Sequence, residues 1–137
     1  MVDYQIEFEA SLSRILAPER SEAFFRRFYE RFIGSDPHIA AMFEDTDMAH
    51  QVGMLKDSLA ELREFSTSLK SNNYIVTLAR IHGVRGRKVS PESYDMWLDA
   101  LVDTVREVDS ECDINAELSW RLVLAPGIAF MKFYYDK

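Results

Sequence analysis

The chain has 137 residues, 47% of them hydrophobic, which suits one domain with one core spanning residues 1–137. A net charge of −7 and a pI near 4.9 argue against nucleic-acid binding, because that requires clustered positive charge to displace counterions from phosphates. Cys112 is the only cysteine, so one chain builds no disulfide, no multi-thiolate zinc site and no cysteine-ligated iron–sulfur cluster.

Glycine and proline are sparse and strict apolar/polar alternation is nearly absent, whereas helical spacing recurs throughout. This predicts an all-α fold of about six to seven helices. The first ten residues carry three acids and no basic stretch leading into an apolar one, and no apolar run reaches membrane-spanning length, so a cytoplasmic protein without membrane contact is expected. Phe8, Leu12, Ile15 and Leu16 share a helical face, and the pattern stops before Pro18, which suits the first turn of a second helix. In that helix Phe25, Phe28, Tyr29, Phe32 and Ile33 form a broad aromatic face. Gly34 ends the pattern, and Asp36-Pro37 reads as the N-cap and first position of a short helix to about Met42, with Phe43 at its exit.

A long helix is expected from about Thr46 to Leu69, with Gln51, Met54, Leu55, Ser58, Leu59 and Leu62 on one side. A shorter one through Tyr74, Ile75, Leu78 and His82 should end near Gly83 and Gly86, and Ser90-Pro91 restarts the chain as helix. Tyr94, Leu98, Leu101, Val105 and Val108 make its stripe, widened by Trp97 and closed by Asp109-Ser110. In the last helix Leu118, Leu122, Ala125 and Ala129 are expected to be buried on one face, and Pro126-Gly127 to kink the helix.

His82 is the best candidate metal ligand, since a neutral imidazole at a helix end beside an apolar run can point one ring nitrogen at a planar cofactor. Taken singly, His82 also reads as a packed or surface histidine, Tyr29 as a buried aromatic bonded to backbone, Phe43 and Leu55 as core, and Gln51 as a surface amide. His50 is rotated about 100° from Gln51 and should face solvent. Three histidines are too few for a histidine-rich di-iron bundle, and the paired Glu-x-x-His elements of carboxylate-bridged di-iron sites are missing.

Phe28-Tyr29-Glu30-Arg31, Phe43, Gln51 with Leu55, His82 and Pro91-Glu92-Ser93-Tyr94, in this order and spacing, resemble the globin family, particularly bacterial single-domain globins and the haem domains of flavohaemoglobins. The resemblance implies a globin fold around haem b, with His82 as the proximal iron ligand. It places Tyr29 and Gln51 on the distal side as hydrogen-bond donors to dioxygen or another diatomic ligand. Phe28, Phe43, Leu55, Leu78, Val89, Tyr94, Trp97 and Leu98 would line the cofactor. The imidazole nitrogen not used by iron is expected to bond a backbone carbonyl near Leu78. Arg80, Arg85, Arg87 and Lys88 would be available to haem propionates, although cations at a helix C-terminus also have a dipole rationale.

The sequence departs from the flavohaemoglobin pattern in the last helix, where Phe130-Met131-Lys132-Phe133-Tyr134-Tyr135 has no carboxylate, which argues against peroxidase-like electron push. With the sequence ending at Lys137, no flavin or nicotinamide domain is expected, and nitric oxide dioxygenation would then need an external reductase. A gas sensor acting through a partner protein and a cofactor-free helical interaction module are the competing readings.

Overall fold

The computed structural model describes residues Met1–Lys137, and its regular structure is entirely helical. Seven helices follow in order: α1 (Tyr4–Ile15), α2 (Pro18–Gly34), α3 (Pro37–Met42), α4 (Met48–Ser68), α5 (Asn73–His82), α6 (Pro91–Val108) and α7 (Ile114–Tyr134). Short polar side chains set the starts of most of them, by accepting N–H groups that have no partner in the first helical turn. Asp3 accepts from Gln5 and Ile6, Asp36 from His38, Asp47 from His50, Asn72 from Ile75, and Asp113 from Ala116. α2 has no such cap and begins on Pro18, whose missing N–H and fixed φ suit that position. No helix is long and apolar enough to cross a membrane.

The chain divides into two compact units, Met1–Thr46 with Met96–Leu122, and Asp47–Asp95 with Val123–Lys137. In the first unit Phe8, Ile15, Phe24, Phe28, Ile39, Leu101, Val102, Val105 and Trp120 are completely buried. Each such side chain contributes about 1.5–3 kcal/mol on burial. Phe8 meets Trp120 edge-on at 4.8 Å between centroids. Below these rings lies a buried polar group: Trp120 Nε1 donates to Ser11 Oγ at 2.9 Å, and Ser11 Oγ donates to Asp109 at 2.7 Å. Arg14 closes the other side of that carboxylate through Nε and a terminal nitrogen at 2.6 and 2.9 Å.

In the second unit Leu55, Leu59 and Leu62 of α4, Ile75 and Ala79 of α5, and Val123, Leu124, Ile128 and Met131 of α7 are buried. Phe65 and Phe130 pack edge-on at 5.4 Å, and Phe130 stacks on Tyr134 at 4.7 Å. Gly127 is buried against Leu62, whose side chain a Cβ at this position would overlap.

Three expectations about helix faces are corrected. Leu16 caps α1 and is 39% exposed, and Met54 is 38% exposed while its neighbour Leu55 is buried. On α7 the face assigned to the interior, Leu118, Leu122, Ala125 and Ala129, is exposed; the buried face is Ala116, Ser119, Trp120, Val123, Leu124, Ile128 and Met131. Apolar residues occupy both faces of α7, so periodicity alone leaves its rotation open. The bulk of Trp120 and its hydrogen bond to Ser11 select the face that turns inward. Pro126 and Gly127 do not end the helix, which continues to Tyr134.

Candidate functional site

His82 is the last residue of α5, and the turn after it is tied closely to the helix end. Arg87 N–H donates to the Ile81 carbonyl at 2.8 Å and Val89 N–H to the His82 carbonyl at 2.9 Å. Gly86 passes so close to the Ile81 carbonyl that any Cβ would collide with it, which explains the glycine. Val84 N–H donates to the Tyr135 carbonyl at 2.7 Å, fixing the segment beyond His82 to the end of α7. The backbone on both sides of His82 is therefore held.

The imidazole is held as well. His82 Nδ1 lies 2.8 Å from the Leu78 carbonyl, one turn earlier, as the sequence leads one to expect. A carbonyl only accepts, so Nδ1 carries the proton and Nε2 the lone pair when the ring is neutral. Burial pushes the His82 pKa down, the Leu78 carbonyl works in the opposite sense, and the charge of Arg87 lowers it further; the net shift is downward. The ring is thus neutral at pH 7, with its lone pair on Nε2. No group of three His, Cys, Asp or Glu side chains is arranged to hold a metal ion. A single imidazole fits a metal that brings its remaining donors with it, as in a metalloporphyrin.

The other residues singled out in the sequence divide between the two units. The first contains Phe28, Tyr29, Phe43, Trp97 and Leu98, and the second contains Gln51, Leu55, Leu78, His82, Val89 and Tyr94. Tyr29 is 5% exposed, and its ring meets Phe28 at 4.8 Å and Phe43 at 5.8 Å. Phe28 also meets Trp97 edge-on at 6.3 Å. Phe32 joins this cluster by packing on Phe43 at 5.8 Å; the aromatic face of α2 contained it, but nothing in the spacing marked it as part of a site. Trp97 and Leu98 are half-buried.

In the second unit Gln51 sits in the first turn of α4, half-buried, and Leu55 follows one turn later on the same side, buried. Leu78, Val89 and Tyr94 are half-buried, and burial pushes the Tyr94 phenol upward, so it stays protonated. His38 and His50 are exposed, leaving His82 as the one histidine held inside. Arg80, Arg85, Arg87 and Lys88 are exposed. A cleft of about 260 Å³ lined by Arg80, Gly83, Val84, Arg85, Tyr134, Tyr135 and Lys137 includes neither His82 nor Tyr29, Gln51 or Leu55.

No protein-family model matches the chain, and a search of curated proteins finds no match. Among solved structures, the chain is similar to a crystal structure of a protein from Pseudomonas aeruginosa PAO1 described as structurally highly homologous to a human hemoglobin. The TM-score is 0.91 and the identity 33%, over 98% of this chain and 100% of that one. Identity at that level over the whole length, joined to seven helices and a neutral histidine fixed at the end of α5, carries more than a shared architecture: the chain belongs to the globin family.

Proposed function

We propose that this globin would hold haem b through His82 Nε2 and bind dioxygen, the 137 residues acting as one haem domain. The observation that carries the reading is the hydrogen bond from His82 Nδ1 to the Leu78 carbonyl, which orients the ring and leaves Nε2 as the basic nitrogen. When bound, haem supplies an iron centre that takes up diatomic ligands reversibly.

The chain's own residues would set how tightly such a ligand is kept. Tyr29 and Gln51 are assigned as donors to the ligand, which gains partial negative charge on binding. A phenol donor there is worth about 1.5–3 kcal/mol, which slows release about tenfold to a hundredfold. Leu55 would limit the space and keep water out, while Phe28, Phe43, Leu78, Val89, Tyr94, Trp97 and Leu98 supply apolar contact to the cofactor. The exposed guanidinium and ammonium groups of Arg80, Arg85, Arg87 and Lys88 are assigned to the propionate side. Nitric oxide dioxygenation, which consumes nitric oxide, dioxygen and one electron and releases nitrate, is the turnover that a separate electron donor would sustain.

The test is a titration of the purified protein with haem, read by absorbance. One equivalent should produce a saturated Soret band, and the reduced protein should bind dioxygen with a further spectral change. A protein that takes up no haem is a cofactor-free helical module, and the proposal is then wrong.

A further inference from the structure

Most guanidinium groups of this acidic chain have a carboxylate beside them. Arg14 meets Asp109, Arg27 and Arg31 meet Glu107, Arg106 meets Asp103 and Arg121 meets Asp99. Arg80, Arg85 and Arg87 meet none. The sequence explains the contrast: residues 65–91 contain no Asp or Glu but carry Lys70, Arg80, Arg85, Arg87 and Lys88, in a chain whose net charge is −7. Unpaired positive charge is thus concentrated in one segment, where the surplus of acids does not reach it.

Two of these arginines line the cleft of about 260 Å³ between the turn after α5 and the end of α7, all of it within the second unit. Its floor is Gly83, which is buried; a Cβ there would come within 3.1 Å of the Tyr135 carbonyl and 3.3 Å of the Ala79 carbonyl, so a side chain would push the two walls apart. The walls are tied together by the Val84 N–H, which donates to the Tyr135 carbonyl at 2.7 Å, and the Tyr134 ring is held by stacking on Phe130. Arg80, Arg85 and Lys137 stand exposed at the rim. Lys137 is already engaged, 2.9 Å from the Asp136 carboxylate and 4.6 Å over the Phe133 ring. The two guanidinium groups are not, and the Tyr134 and Tyr135 hydroxyls make no hydrogen bond within the chain.

We propose that this cleft binds a small phosphate monoester, its phosphate held by Arg80 and Arg85 and its short organic part against Tyr134 and Tyr135. A dianion with three terminal oxygens matches two guanidinium forks, whereas a carboxylate brings one charge and two oxygens. At about 30 Å³ per water the cleft holds about nine waters, enough for a phosphate and a three-carbon chain but too little for a nucleotide. Arg80 precedes His82 by two residues, about 160° away around the helix, so its guanidinium leaves α5 on the side opposite the imidazole. The cleft therefore takes Arg80 and Arg85, and Arg87, whose charge is felt at the His82 ring, is left with Lys88 to the propionates.

Calorimetric titration with glycerol 3-phosphate, at low ionic strength in a buffer free of phosphate, tests this. One site with a Kd of about 1 mM or tighter is expected, inorganic phosphate should bind about threefold more weakly for want of the organic part, and acetate about tenfold more weakly. Arg80→Gln and Arg85→Gln should each weaken the ester by about fivefold or more, while Lys70→Gln, which removes one charge of the same segment outside the cleft, should change Kd by less than about twofold. Both arginines are exposed, so the variants should keep the helical circular dichroism of the wild type. In thermal unfolding, about 10 mM ester should raise the wild-type Tm by about 5 °C and leave that of the Arg80→Gln, Arg85→Gln double variant unmoved. No saturable binding by about 20 mM overturns the proposal. A loss as large in Lys70→Gln as in Arg80→Gln overturns it too, since binding would then follow the field of the whole segment, and inorganic phosphate as tight as the ester overturns the assignment of an organic part. None of these readouts depends on haem.

Discussion

Asp109→Asn removes the negative charge at the centre of the buried network between α1, the end of α6 and Trp120. The Asp109 side chain is fully buried and accepts four hydrogen bonds: from Ser11 Oγ at 2.7 Å, from Arg14 at 2.6 and 2.9 Å, and from the Glu111 N–H at 3.1 Å. An amide in the same place turns one acceptor oxygen into a donor, so at least one of Ser11 and Arg14 is left facing an N–H. Ser11 cannot turn away freely, since it also accepts from the completely buried Trp120. Arg14, with 23% of its side chain exposed, is partly rescued by water. Losing the charge and one or two charge-assisted bonds, with that relief, costs about 3 kcal/mol, which lowers Tm by about 10 °C in a chain of this length.

Acid should erase the difference. Burial alone would raise the Asp109 pKa, but hydrogen bonds from Arg14, Ser11 and the Glu111 N–H outweigh it and hold the pKa below the ordinary 3.8. A carboxylate with a depressed folded pKa stabilises the fold fully above its unfolded pKa and loses that contribution as pH falls through the folded value. The gap between wild type and Asp109→Asn, measured by thermal and urea unfolding at several pH values, should be constant from pH 7 to about 5 and close below 3.8. A variant within about 2 °C of wild type at pH 7, or a gap unchanged at pH 3, would refute the reasoning.

Three further outcomes are expected of the same protein. Leu69 ends α4 in the left-handed region at φ 52° and is 67% exposed, so Leu69→Gly removes backbone strain without losing packing; it should raise Tm by about 2–4 °C, and a lower Tm contradicts this. Gly127→Ala drives a methyl into Leu62 and should cost about 1–2 kcal/mol in urea unfolding; Leu62→Ala should then cost less in that background than alone, and strict additivity would show that the two do not press on each other. Tyr29→Phe in the haem-loaded protein should speed dioxygen dissociation about tenfold or more in stopped flow, and an unchanged rate removes Tyr29 from the distal role.

Much of the architecture could be read from local chemistry. Asp36-Pro37, Ser90-Pro91 and the turn at Gly83-Gly86 punctuate the chain where helices start and stop, because caps and φ restrictions act within a few residues. The Leu78–His82 hydrogen bond was legible for the same reason: four residues on a helix are one turn. The rotation of α7 was not legible. Leu118, Leu122, Ala125 and Ala129 compete with Ala116, Trp120, Val123 and Ile128 for the interior, and the choice depends on Ser11, 109 residues away, which receives the Trp120 N–H. Asp109 read as a helix terminator for a similar reason, since its partners Ser11 and Arg14 lie far back in α1. The site residues showed the same division: aromatic contacts such as Tyr29–Phe43 are set by packing between helices, which no spacing rule records.

The measurement closest to the central claim is haem binding by His82→Gly with and without added imidazole. If Nε2 of His82 holds the iron, the variant should lose the wild-type Soret position and most of its haem affinity, and millimolar imidazole should restore the spectrum by occupying the space the side chain leaves. A variant that retains the wild-type spectrum and haem stoichiometry without imidazole would contradict the account.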